Sequence, residues 1–108
     1  MPRPKKPRFV TGYPLMSAFV PEGIPVTGEL TIAIEAMEAV RLSDFEGLDQ
    51  ESAAARMEIS RQTYGRVLAE ARQTIAAALV TGKILRIGGG IYELKGQGRC
   101  RRRRRGGR

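Results

Sequence analysis

The sequence predicts a mainly α fold: a three-helix core holding a helix-turn-helix, with an extended N-terminal arm and a short C-terminal β-hairpin. Three observations carry this expectation. Apolar residues recur at helical spacing from residue 34 onward. Capping residues precede the later runs and glycines follow them. Six prolines stand within the first 28 residues, where each fixes φ and biases its predecessor away from helix. A chain of 108 residues accommodates one core. The expected organisation is a basic, Pro-rich arm over 1–28, a helix-turn-helix domain with its hairpin over 29–95, and a disordered Arg-rich tail over 96–108.

The arm is expected to lie beside the domain, anchored by Phe9, Tyr13, Phe19 and Ile24. Glu29 to Ile34 alternates apolar and polar residues, which predicts a short strand or a helix lead-in. The first helix begins near Ile34. Ile34, Met37, Val40, Leu42 and Phe45 fall near its inner face, Glu35, Glu38, Arg41 and Asp44 fall outside it, and Gly47 stops it. A second helix fits Asp49 to Met57, with Asp49 as N-cap and Ala53-Ala54-Ala55 allowing a neighbour to approach closely.

Ser60 caps a third helix that runs to about Val80. Tyr64, Val67, Leu68, Ala71, Ile75, Ala78 and Leu79 form its apolar stripe, and Gly82 ends it. At about 1.5 Å per residue this helix is roughly 30 Å long, more than a DNA-reading helix needs. Its second half is therefore assigned to packing or dimerisation. Lys83 to Ile87 and Ile91 to Leu94 are β-prone runs around Gly88-Gly89-Gly90, the pattern of a hairpin. The glycines lack the Lys-Ser/Thr and the following helix of a phosphate loop.

Charge narrows the function. The net charge is +8, yet residues 1–10 alone hold +4, residues 99–108 hold +7, and the body between is acidic at −3. Blocks of like charge repel until they meet the opposite charge, and seven arginines in ten residues favour nucleic acid. With no His and one Cys, the chain has no Ser-His-Asp triad, no His/Cys zinc site and no disulfide framework. Neither enzymatic activity nor a cofactor or metal is expected. Gly12 and Pro14 break the one run that imitates a signal peptide, and no stretch reaches the ~18 apolar residues of a membrane span. A cytoplasmic protein without a membrane partner is the expectation.

Two helices joined by a turn of three or four residues, the second opening on Ser-Arg-Gln-Thr, form the outline of a helix-turn-helix. Ala54 is small where the helices cross, Ile59 plugs the turn, and Tyr64 and Val67 hold the inner face. The outer face presents Arg61, Gln62, Gly65 and Arg66 as base readers. Arg donates twice to guanine, Gln both donates and accepts at adenine, and Gly lets backbone approach the duplex. Gln50, Ser60 and Thr63 are the phosphate contacts of the motif. Arg3, Lys5, Lys6 and Arg8 of the arm and Arg101, Arg102, Arg103, Arg104 and Arg105 of the tail add phosphate contacts outside it. Arg72 lies too far along for bases and is assigned to a phosphate or to an acidic partner. Glu58 occupies a turn position where glycine is usual.

These residues carry a family resemblance. Arg3-Pro4-Lys5-Lys6, Phe19-Val20-Pro21-Glu22-Gly23-Ile24-Pro25, Glu38-Ala39-Val40-Arg41-Leu42-Ser43-Asp44, Gln50-Glu51-Ser52-Ala53-Ala54 and Ser60-Arg61-Gln62-Thr63-Tyr64-Gly65-Arg66 occur in order with little or no gap. Over residues 1 to about 92 the chain resembles a family of small, uncharacterised prokaryotic DNA-binding proteins. Their helix-turn-helix is similar to region 4 of sigma factors. The resemblance implies that Ser60 to Arg66 opens the reading helix. The chain departs from many relatives at Pro7, where they have cysteine, and at Glu58, where they have glycine.

The expected function is sequence-specific binding of double-stranded DNA, in the service of transcriptional regulation. The alternative is architectural or RNA-associated binding driven by the Arg-rich tail, with the helices serving only to pack. A homodimer suits the first reading, since helix-turn-helix proteins commonly read paired half-sites.

Overall fold

The computed structural model describes residues 7–94. Local capping chemistry sets the helices of its centre. The N–H of Ser52 donates to the Asp49 carboxylate at 2.7 Å, which starts α2 (Gln50–Met57). The N–H of Thr63 donates to Ser60 Oγ at 3.0 Å, which starts α3 (Arg61–Thr81), and Gly82 closes that helix at φ +70°. Glu58 ends α2 at φ 58°, a left-handed conformation strained for any residue but glycine.

Helix α1 (Ile34–Val40) starts without a side-chain cap. A glycine carbonyl takes that place: the N–H of Ile34 donates to the Gly89 oxygen at 3.1 Å. Past Val40 the helix widens into a π turn (Arg41–Phe45), closed where the Glu46 N–H reaches back five residues to the Arg41 carbonyl. The extra residue in that turn rotates Phe45 off the inner face, and it is 84% exposed although its spacing placed it inward.

The expected fold class is corrected by the strands. Five are present among the described residues: β1 (Arg8–Val10), β2 (Ala18–Phe19), β3 (Glu29–Ile32), β4 (Ile84–Ile87) and β5 (Tyr92–Leu94). They form two sheets, so the fold is mixed α/β rather than mainly α. The C-terminal hairpin does not form, because β4 and β5 enter different sheets. β4 is the centre of one, parallel to β3 with Leu30 opposite Leu85 and Ile32 opposite Ile87, and antiparallel to β2 with Ala18 opposite Arg86. β5 pairs in parallel with β1, Arg8 opposite Tyr92 and Val10 opposite Leu94.

Parallel strands cannot be joined by a tight turn. Here the whole helical segment is the crossover between β3 and β4. The segment expected to lie beside the domain as an arm instead supplies β1 and β2, and its buried anchor is Val10; Tyr13, Phe19 and Ile24 are exposed. Non-local pairing prevails because Leu85 and Ile87 then bury against α3. The glycine run can meanwhile press on α1, where a Cβ on Gly90 would collide with Ala33 and the Glu35 carboxylate.

Two cores result. One gathers Ala39, Leu42, Ala53, Ala54, Met57, Tyr64 and Leu68 where α2 and the π turn meet the first half of α3. The other gathers Val10, Ile32, Ile34, Ala71, Ala78, Leu85 and Ile87 beside the sheets. Helix α3 runs through both. Its stripe holds as far as Ala78, but Leu79, expected within it, is 78% exposed where the helix outruns the sheet.

Candidate nucleic-acid interface

At 3.6 residues per turn, Tyr64, Leu68 and Ala71 fall on one side of α3, Gln62 and Arg66 fall across from them, Gly65 falls on the flank between, and Arg61, the first residue of the helix, lies within about 60° of Tyr64. Burial follows this division. Tyr64, Leu68 and Ala71 are buried, whereas Arg61, Gln62 and Arg66 are exposed and Gly65 is half-buried. The turn of Glu58, Ile59 and Ser60 places α2 beside the first turns of α3, joined through Ala53, Ala54, Met57 and Tyr64.

Tyr64 fixes the pose of α3. Its hydroxyl donates to the Ala39 carbonyl at 2.8 Å, and the Ser43 hydroxyl, the remaining donor of the pair, lies 2.5 Å from it. Burial raises the phenol pKa above its ordinary value, so the hydroxyl stays a donor. One turn after Leu68, Arg72 donates to Asp44 from Nη2 at 2.8 Å and from Nε at 3.2 Å. Arg72 therefore takes the acidic partner among its two expected roles. Together Tyr64 and Arg72 tie α3 to the π turn.

The arginines divide sharply. Arg8 faces Glu35 at 3.9 Å, Arg41 pairs with Glu38 and Glu46, Arg72 with Asp44, and Arg86 with Glu29. Arg56 is engaged as well. Among the described residues, no hydrogen bond or ion pair holds the guanidinium of Arg61 or Arg66. Arg66 stands on the outer face of α3, and Arg61 stands at the helix start, where, beside the hydrogen bond from the Ser52 N–H, its charge helps to lower the pKa of the Asp49 carboxylate.

The remaining expected contacts fall into four groups. Ser60 and Thr63 sit at the start of α3 with their hydroxyls 3.0 Å apart, already engaged in capping. Gln50 is half-buried and lies over Gly65, where its Oε1 would stand 3.4 Å from an added Cβ. The space that glycine leaves is thus occupied by Gln50, and α2 and α3 meet there. Arg8 is placed apart from this face: it belongs to β1 and its side chain is largely buried against Glu35. Arg3, Lys5, Lys6, Arg101, Arg102, Arg103, Arg104, Arg105 and the tail over 96–108 lie outside the described residues.

Spacing also assigned the wrong side to two carboxylates. Glu35 is 8% and Glu38 6% exposed, although both were expected outside the inner face. Glu35 accepts the N–H of Ile91 at 3.1 Å and thereby fastens the glycine run to α1. Glu38 accepts both the N–H and the hydroxyl of Thr11 and both Nε and Nη2 of Arg41. Burial raises its pKa, but these hydrogen bonds outweigh burial and hold the carboxyl below its ordinary value. Thr11 lies 27 residues away in sequence, so helical periodicity carries no sign of that partner.

Among the described residues no three His, Cys, Asp or Glu side chains gather as a metal site would require. No helix there is long and apolar enough to cross a membrane.

A family model described as "Protein of unknown function DUF134" matches residues 1–95. The chain is 46% identical over 99 residues to a UPF0251 protein of Caldanaerobacter subterraneus, covering 90% of this chain and 84% of that protein. It is 48% identical over 105 residues to a UPF0251 protein of Moorella thermoacetica, covering 94% and 70%. With a UPF0251 protein of Syntrophobacter fumaroxidans the identity is 52% over 92 residues, covering 83% and 59%. No solved structure matches the chain. The chain belongs to the DUF134 family.

Proposed function

We propose that this member of the DUF134 family binds double-stranded DNA in a sequence-specific manner through α2 and α3, as a sigma region-4-like helix-turn-helix serving transcriptional regulation. The observation that carries the reading is Arg66, whose exposed guanidinium stands with Gln62 on the face of α3 opposite its core contacts and has no hydrogen bond or ion pair among the described residues, while Arg41, Arg72 and Arg86 are held by acids. Two exposed arginines flanking Gln62 on an anchored helix match the donor pattern of guanine and adenine edges in a major groove. Gln50, Ser60 and Thr63 stand at the start of the two helices, where backbone phosphates would pass.

The test is Arg66→Ala, with affinity measured for a selected duplex and for an unrelated one. Loss of a bidentate guanine contact costs about 1–3 kcal/mol on the selected duplex and leaves the unrelated one nearly unchanged. An equal loss on both removes Arg66 as a base reader.

Seven arginines in the last ten residues favour a second reading, in which the tail does the binding. Deleting 99–108 separates the two. A helix-led binder keeps its sequence preference and loses salt dependence, by a slope of about 0.9 for each phosphate contact removed. A tail-led binder loses nearly all affinity.

A further inference from the structure

A pocket of about 390 Å³ opens between α1 and the segment 11–16. Its volume lies in the range of small-molecule sites. The apolar part of the wall includes Tyr13, Met16 and Met37, and Leu15 stands at the pocket 98% exposed. Methionine adapts its shape to whatever fills a gap, so this wall tolerates a range of ring shapes. Thr11, Glu38 and Arg41 supply the polar part.

The hydrogen bonds of that polar part decide which charge a ligand carries. A carboxylate offers about four lone-pair sites. Four donors already converge on Glu38: the Thr11 N–H, the Thr11 hydroxyl and Arg41 Nη2 on Oε2, and Arg41 Nε on Oε1. An ammonium group would have to approach a carboxylate that is already paired with the Arg41 guanidinium, against like charge. Arg41 is different, because Glu38 and Thr11 hold Nε and Nη2 while Nη1 is held by Glu46, an exposed side chain. An exposed partner can swing into water, where its charge is solvated, and a second carboxylate can take its place on Nη1.

We infer that this pocket binds a small organic carboxylate with an aromatic or aliphatic body, the carboxylate on Arg41 in place of Glu46 and the body against Met16 and Met37. Arg41 also opens the π turn, and the Glu46 N–H closes it. That turn holds α3 through Ser43 and Asp44. Exchange at Nη1 therefore acts on the segment that sets the pose of α3. Binding in the pocket does not depend on the DNA reading; an effect on DNA affinity rests on it.

The test uses the full chain without DNA. Benzoate, phenylacetate and indole-3-acetate are titrated against the methionine methyl resonances, with phenylacetamide and phenethylammonium as uncharged and cationic counterparts. The inference expects saturable shifts at Met16 and Met37 with at least one acid, about tenfold weaker binding of the amide and the amine, and severalfold tighter binding of the acid to Glu46→Gln. Arg41→Gln removes the preference for acid over amide. Because that change also leaves Glu38 short of a partner, the exposed Glu46→Gln carries the decision. The inference is overturned if none of the three acids shifts Met37 saturably, if acid and amide bind equally, or if Glu46→Gln leaves the affinity for the acid unchanged.

Discussion

The first half of α3 packs Tyr64 and Leu68 against α2 and the π turn, whereas its second half packs Ala71 and Ala78 beside Leu85, Ile87 and Ile32 of the sheet. The two cores differ in how far along the chain their members come from. The core around α2 is assembled from residues 39 to 68, so most of its contacts join neighbouring elements. The sheet core reaches from Val10 to Ile87 and closes only when both ends of the domain meet. One is a local motif that presents a face, and the other is the frame that holds the motif in place. Since α3 passes through both, damage on either side should reach the other.

The largest effect expected is from Leu68→Ala, at 1% exposure. A buried leucine truncated to alanine costs about 2–5 kcal/mol. Urea denaturation should show one transition shifted as a whole, followed equally by probes in α2 and in β4. Separate transitions would break the claim that α3 couples the two cores.

Gly90→Ala comes next and addresses the frame alone. Its Cβ would press on Ala33 and the Glu35 carboxylate at a φ of +97°. Overpacking of this kind costs about 1–3 kcal/mol. Hydrogen exchange should accelerate at Ile34 and Ile91, whose N–H groups bond across that contact.

Acid titration probes the seam between the cores. The folded pKa of Glu38 lies below its ordinary 4.5, so it contributes stability that is present above about that pH and is lost as pH falls through the depressed value. Stability should decline on acidification below pH 4.5, and Glu38→Gln should flatten part of that decline while lowering stability at neutral pH.

The smallest change is a gain. Glu58→Gly relieves a left-handed residue at φ 58° and should add up to about 1 kcal/mol, read as a higher urea midpoint.

The same contrast explains what could be read beforehand. Asp49, Ser60 and Gly82 mark helix ends through partners three or four residues away, and such signals are written side by side in the chain. The exposed positions of Gln62 and Arg66 followed from them, whereas Gly65 is half-buried under Gln50 and Arg61 sits at the helix start on the side nearer Tyr64. Strand partners carry no such signal. Ile84 to Ile87 alternates as well for a hairpin with β5 as for a parallel pair with β3, which is reached only through three helices. The buried carboxylates escaped for a related reason. Periodicity assigns glutamate to water unless a partner is known, and the partners of Glu35 and Glu38 come from segments outside α1 as well as from Arg41. The exposed Phe45 needed knowledge of the π turn, which helical spacing does not encode.

The proposal that α3 reads DNA is tested most directly by selection from a random duplex library at about 150 mM salt, where weak phosphate contacts alone are heavily screened. The full chain and its Arg61→Ala/Arg66→Ala double variant would be run side by side. The account predicts one enriched motif for the full chain and its loss in the variant, with the fold intact by circular dichroism. The same motif from both proteins, or none from either, would contradict it.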